Sequence, residues 1–85
     1  MAEALEDQVL AEVRRIFAGE LERVEPVELA HLLLDDLHVD SIAAVSLAVG
    51  LEDRFRVALS EDDTVGVVTV ADLVKRVAAR VREVA

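Results

Sequence analysis

Leu34-Asp35-Asp36-Leu37-His38-Val39-Asp40-Ser41-Ile42 is the stretch on which the reading of this chain turns. It closes a long connection and opens an apolar helical segment predicted over Ser41 to Phe55. Asp40 is well placed as the N-cap, where a short carboxylate accepts from an unpaired N–H of the first turn. Ser41 therefore stands where loop becomes helix. No general base and no glycine elbow surround it in sequence, so it suits modification by another protein better than catalysis.

At about 100° per residue the apolar residues of this helix fall on two faces. Ala44, Leu47, Ala48, Leu51 and Phe55 form one, suited to a core. Ile42, Val45 and Val49 form another, roughly opposite Leu47 and flanked by Glu52 and Asp53. An exposed apolar stripe edged by acids suggests a protein-binding surface. A helix buried on most sides is the plainer alternative. Gly50 stands out, because an interior glycine costs about 1 kcal/mol against alanine. Close packing or space for a ligand would each explain it.

Upstream, Ala2 to Ala18 reads as a first helix, with Leu5, Val9, Val13, Ile16 and Phe17 at three- and four-residue spacing and Gly19 as its stop. The long connection from Glu20 to Asp40 is interrupted by Pro26 and is expected to hold a helical turn near Val27–Leu33. Leu29, Leu33 and Leu37 are its candidate anchors. Downstream, Ser60-Glu61-Asp62-Asp63 has a capping-box pattern and predicts a short third helix ending near Gly66. Thr69-Val70-Ala71-Asp72 is a second such pattern. It opens a last helix from about Val70 to Val84, with Leu73, Val74, Val77 and Val81 inward. The expected fold is all-α: a small four-helix bundle of three longer helices and one short one, with a long loop between helices one and two. The whole chain, 1–85, reads as a single domain.

Composition narrows the function. Hydrophobic residues make up 54% and the only aromatics are Phe17 and Phe55, so the core is aliphatic. The formal charge is −9, from 18 acids against 9 bases. Nucleic-acid binding, which needs a basic surface, is disfavoured, and basic protein partners are favoured. The charge is uneven: residues 29–53 hold Asp35, Asp36, Asp40, Glu52 and Asp53 and no Lys or Arg, whereas the last helix is basic. There are no cysteines, so any thiol chemistry requires a prosthetic group. Asp35, Asp36, His38 and Asp40 have no standard metal-ligand spacing. The N-terminus lacks the basic and apolar regions of a signal peptide, and no apolar run is long enough to span a membrane. The expected compartment is the cytoplasm, with no stable membrane insertion.

The segment around Ser41 resembles the prosthetic-group attachment site of acyl carrier proteins, whose modified serine starts helix two within an Asp-Ser-Leu motif. Asp40-Ser41-Ile42 matches it. Leu51-Glu52-Asp53-Arg54-Phe55, Val57-Ala58-Leu59-Ser60-Glu61-Asp62-Asp63 and Thr69-Val70-Ala71-Asp72-Leu73-Val74 resemble the segments that follow. The similarity covers roughly Leu33 to Val77. It departs at His38, commonly glycine in the family, at Ile42 for leucine, and at Ala43 and Ser46, where acids are common.

The resemblance implies that a phosphopantetheinyl transferase attaches 4′-phosphopantetheine from coenzyme A to Ser41, and that the arm carries acyl groups as thioesters. It implies a carrier rather than an enzyme. Its partners would be acyl ligases, ketosynthases or acyltransferases with basic docking patches, in fatty-acid, polyketide or lipopeptide biosynthesis. The expected partner surface is Ile42, Val45 and Val49 with Asp36, Asp40, Glu52 and Asp53. The expected acyl pocket is drawn from Leu47, Leu51, Phe55, Leu59, Val67, Leu73 and Val74, and the protein is expected to be a monomer. The alternatives are a peptidyl carrier, though its usual glycines before the serine are absent, a D-alanyl carrier, or an unmodified acidic helical interaction module. Self-contained hydrolysis by Ser41 is disfavoured, since the only histidines are His31 and His38 and no triad pattern accompanies them.

Overall fold

The computed structural model describes residues 4–24 and 26–84. Three α-helices make up the framework: α1 (Leu5–Ala18), α2 (Ser41–Phe55) and α3 (Val70–Val84). No strand forms among the described residues; an isolated bridge pairs Leu32 with Thr69. The bounds of α2 and α3 agree with the periodicity. Of the predicted first helix, Ala2 and Glu3 lie outside the described residues. Gly19 does end α1, its N–H donating to the Arg15 carbonyl at 2.8 Å.

The expected short third helix is corrected to a four-residue 3-10 turn, Glu61–Thr64. Its cap chemistry is as predicted: the Ser60 N–H donates to Asp63 Oδ2 at 2.8 Å and the Ser60 hydroxyl to the same oxygen at 3.2 Å. What is missing is an apolar stripe. The segment Glu-Asp-Asp-Thr has nothing to bury along a longer helix, and a few i→i−3 bonds suffice. The second capping box is reciprocal, with the Thr69 N–H donating to Asp72 Oδ2 at 3.0 Å and the Asp72 N–H to Thr69 Oγ1 at 3.1 Å.

α1 packs against both α2 and α3. Val9, Val13, Ile16 and Phe17 from α1 meet Leu47 and Leu51 from α2 and Val70, Val74 and Val77 from α3 in one aliphatic core. Gly50 is explained here. A Cβ at this position would stand 2.6 Å from Ile16 Cδ1 and 3.2 Å from Ile16 Cγ1, so the glycine lets α1 approach α2.

The long connection is anchored differently from the expectation. Leu37 is buried and Leu33 packs against the core, but Leu29 is 45% exposed, and Val27 is buried in its stead. The helical turn lies further on than Val27–Leu33. The N–H groups of Asp36 and His38 donate four residues back to the Leu32 and Leu34 carbonyls. The apolar run Leu32-Leu33-Leu34 supplies that turn, and it and His31 before it pair with the segment that enters α3. The Leu33 N–H donates to the Val68 carbonyl at 2.9 Å and the Val70 N–H to the His31 carbonyl at 3.0 Å.

Candidate functional site

Ser41 is exposed and is the first residue of α2. Asp40 has the predicted role, its carboxylate accepting from the Ala43 N–H at 2.8 Å. The Asp40 carbonyl accepts from the Ala44 N–H at 2.8 Å. The N–H groups of Ser41 and Ile42 have no acceptor among the described residues, so the helix start keeps donors and a positive dipole end beside the serine hydroxyl. The other serines differ. Ser46 is half-buried within α2, and the Ser60 hydroxyl is committed to Asp63.

The loop leading to Ser41 is held from both sides. His38 has φ 53°, in the left-handed region that glycine adopts most readily. This is the physical reason glycine suits that position and a point where this chain makes another arrangement. Arg23 donates to the carbonyls of Leu37 and His38, the latter at 3.2 Å, and its guanidinium lies 6.0 Å from the Phe17 ring centroid. The loop is thus braced by a residue that follows α1, and by Leu37 inserted in the core.

Ile42, Val45 and Val49 are 77%, 62% and 56% exposed, so the second face of α2 is a free apolar stripe. Of the acids beside it, three also have local work. Asp36 Oδ2 accepts from the Leu32 N–H at 2.7 Å, Asp40 caps α2, and Glu52 Oε2 accepts from the Leu59 N–H at 2.7 Å. Asp53 is exposed and makes no such bond among the described residues. Each acid still presents negative charge, but only Asp53 does so with no structural duty.

A cleft of about 440 Å³ opens between α2 and α3. Ala44, Leu47 and Ala48 form one wall, Leu73 and Val77 another, and Leu59 and Val67 close it from the segment around the 3-10 turn. Of the expected pocket residues, Leu47, Leu59, Val67 and Leu73 line it. Leu51 and Val74 are in the closed core instead, and Phe55 packs against that core. Ala44, expected inward, is exposed at the cleft wall, while Ala43 is buried. Sequence reasoning missed Leu32, Leu34, Val39, Val68 and Arg76, which also line the cleft. The signal available was the Leu32-Leu33-Leu34 run, too apolar for a solvated loop. Asp63 borders the cleft as well. The Ser60 N–H and then Arg80, at 2.8 Å, hold its carboxyl below the usual carboxylate range.

Among the described residues no group of His, Cys, Asp and Glu side chains is arranged to hold a metal. Among the same residues no helix is long and apolar enough to cross a membrane.

The chain matches the family model described as phosphopantetheine attachment site over residues 11–77. It is 38% identical over 72 residues to acyl carrier protein 3 of Ralstonia nicotianae, covering 84% of this chain and 83% of that one. It is 33% identical over 73 residues to the meromycolate extension acyl carrier protein of Mycolicibacterium smegmatis, covering 84% and 73%. The crystal structure of an acyl carrier protein from Thermotoga maritima superposes with a TM-score of 0.84 over 100% of both chains at 20% identity, a likeness of fold. The chain belongs to the phosphopantetheine-binding family, and its role is that of an acyl carrier. Carriers of this family take up 4′-phosphopantetheine from a transferase and work with biosynthetic enzymes. The group fits this chain, which has an exposed serine beside unclaimed N–H donors and an apolar cleft adjoining the same end of α2.

Proposed function

We propose that Ser41 is the attachment residue for 4′-phosphopantetheine and that residues 1–85 act as one carrier unit presenting acyl groups to partner enzymes. The observation that carries this is the position of Ser41: exposed, first in α2, beside two N–H groups without acceptors among the described residues. When bound, the group supplies a terminal thiol on a long arm, to which an acyl group is joined as a thioester. The chain's own residues do the rest. Asp40 claims the Ala43 N–H and fixes the helix start, and the dipole end favours the negative charge of a phosphodiester.

In this reading the chain catalyses nothing itself. Ile42, Val45 and Val49, with Asp36, Asp40, Glu52 and Asp53, meet partners that present Lys or Arg around an apolar depression. Leu47, Leu59, Val67 and Leu73 shelter part of the cargo. The protein works as a cytoplasmic monomer. The relative named for meromycolate extension favours a lipid-chain pathway.

The test is intact-mass analysis after incubation with coenzyme A and a promiscuous phosphopantetheinyl transferase. One added phosphopantetheine is expected on the wild type and none on a folded Ser41→Ala variant. Modification of Ser46 or Ser60, or of neither protein, refutes the assignment.

A further inference from the structure

We propose that Arg76 selects the cargo: its guanidinium favours acyl chains that carry a carbonyl oxygen beyond the thioester over plain alkyl chains. This rests on the reading that the arm from Ser41 delivers its acyl group into the cleft between α2 and α3.

Among the described residues three ionisable side chains, Asp35, Asp63 and Arg76, border this cleft, whose lining is otherwise apolar apart from Thr64. Asp63 is committed to Ser60 and Arg80. Asp35 belongs to the exposed loop that leads to Ser41. Arg76 comes from the opposite side, on α3, three residues after Leu73 and so on the same cleft-facing stripe. Its guanidinium has no partner among the described residues. Arg14, Arg15, Arg23, Arg54, Arg80 and Arg82 each hold a carbonyl or a carboxylate, whereas Arg56 and Arg76 hold neither, and of these two Arg76 alone lines the cleft.

A cation beside an apolar cleft discriminates between cargoes. An alkyl chain passing it displaces water from the guanidinium and gives nothing back. A carbonyl oxygen restores an acceptor, and a charged donor makes that bond stronger than a neutral one would. A free carboxylate would accept as well, but it must enter a protein of formal charge −9 past Asp35. A neutral carbonyl gains the same donor without that repulsion. The favoured class is therefore an oxo-acyl chain.

The test compares octanoyl, 3-oxooctanoyl and 7-oxooctanoyl chains, each placed on wild-type, Arg76→Leu and Arg76→Lys protein from its coenzyme A thioester, with one addition per chain verified by mass. The readout is the rate of thioester cleavage by hydroxylamine, relative to the same thioester on free pantetheine. Arg76 is exposed, and melting of the unmodified variants checks that each remains folded. In the wild type, at least one oxo chain should be protected about fivefold more than octanoyl, the scale of one net hydrogen bond. Arg76→Leu should abolish that preference while leaving octanoyl protection intact, and Arg76→Lys should keep part of it. If octanoyl is protected but neither oxo chain is favoured, or if Arg76→Leu leaves the preference unchanged, Arg76 is a solvated surface residue and the proposal falls alone. If no chain is protected in the wild type, the cleft reading falls and the proposal with it.

Discussion

Arg23 reaches across from the end of α1 and donates to the carbonyl oxygen of His38 at 3.2 Å, the residue that takes the left-handed conformation three positions before Ser41. Histidine tolerates this region better than a branched residue does, but a non-glycine residue there still carries a cost of about 1 kcal/mol. The brace and the strain oppose each other. His38→Gly should therefore change stability by less than about 1 kcal/mol, relief of strain being offset by glycine's entropy. His38→Val should lose about 1–2 kcal/mol. Arg23→Ala should lose about 1–2 kcal/mol through two backbone carbonyls left without their donor. Urea midpoints of the three variants check this. A stable His38→Val would mean that the loop is not held as described.

Gly50→Ala should destabilise the protein although alanine is the better helix former. The propensity gain is about 1 kcal/mol. Against it, the new methyl would stand 2.6 Å from Ile16 Cδ1 in a fully buried side chain, and overpacking a closed core costs about 1–3 kcal/mol. Ile16→Val shortens the obstructing side chain. The double variant should recover stability relative to the sum of the two single changes, measured as a double-mutant cycle in denaturant.

The acid limb of stability should depend on Asp63 and Asp72. Asp63 is held below the usual carboxylate range by the Ser60 N–H and by Arg80, and Asp72 by the N–H groups of Thr69 and Val68. A carboxylate whose folded value is depressed contributes stability that is fully present above its unfolded value of about 3.9. That contribution is lost as pH falls through the depressed folded value. Asp63→Asn and Asp72→Asn should each be less stable than wild type at pH 7, with the difference shrinking below about pH 4. Unfolding curves across that range check the sign. A difference that stays constant down to the lowest pH would assign these residues a purely steric role.

Asp53 is the cleanest probe of the proposed partner surface, because Glu52 also closes the turn to Leu59 and its reversal would disturb the fold. Asp53→Lys should slow association with a partner bearing a basic patch, most at low ionic strength, and leave the melting temperature unchanged. Stopped-flow binding to the phosphopantetheinyl transferase at two salt concentrations measures it. Equal rates for both proteins at both salt levels would remove Asp53 from the interface.

Much of this protein was determined by local sequence. The 3.6-residue spacing of Val9, Val13 and Ile16, the cap at Asp40 and the box at Thr69 and Asp72 each act within one or two turns, so α2 and α3 could be bounded before any fold was known. The same holds for Ser41 at the helix start and for the Ile42, Val45 and Val49 stripe, which follow from one helix considered alone. The Ser60 box was read correctly too, but a cap states only where a helix begins. Its length depends on what the segment can bury.

Only the tertiary structure decided the features that join distant parts of the chain. Gly50 has meaning through Ile16, 34 positions earlier in the numbering. Val27 rather than Leu29 enters the core because the bond from Arg14 Nε to the Val27 carbonyl at 2.8 Å and the pairing of Leu32 with Thr69 set where the connection runs. Leu51 and Val74 share a helix face with cleft residues, yet α1 covers them, while Leu47 and Leu73 remain at the opening between α2 and α3. Periodicity distinguishes an inward side chain from an outward one. Whether inward means a closed core or the wall of a cleft depends on how closely two helices approach, and that distance is set by contacts between elements, such as Gly50 with Ile16, that no single helix considered alone reveals.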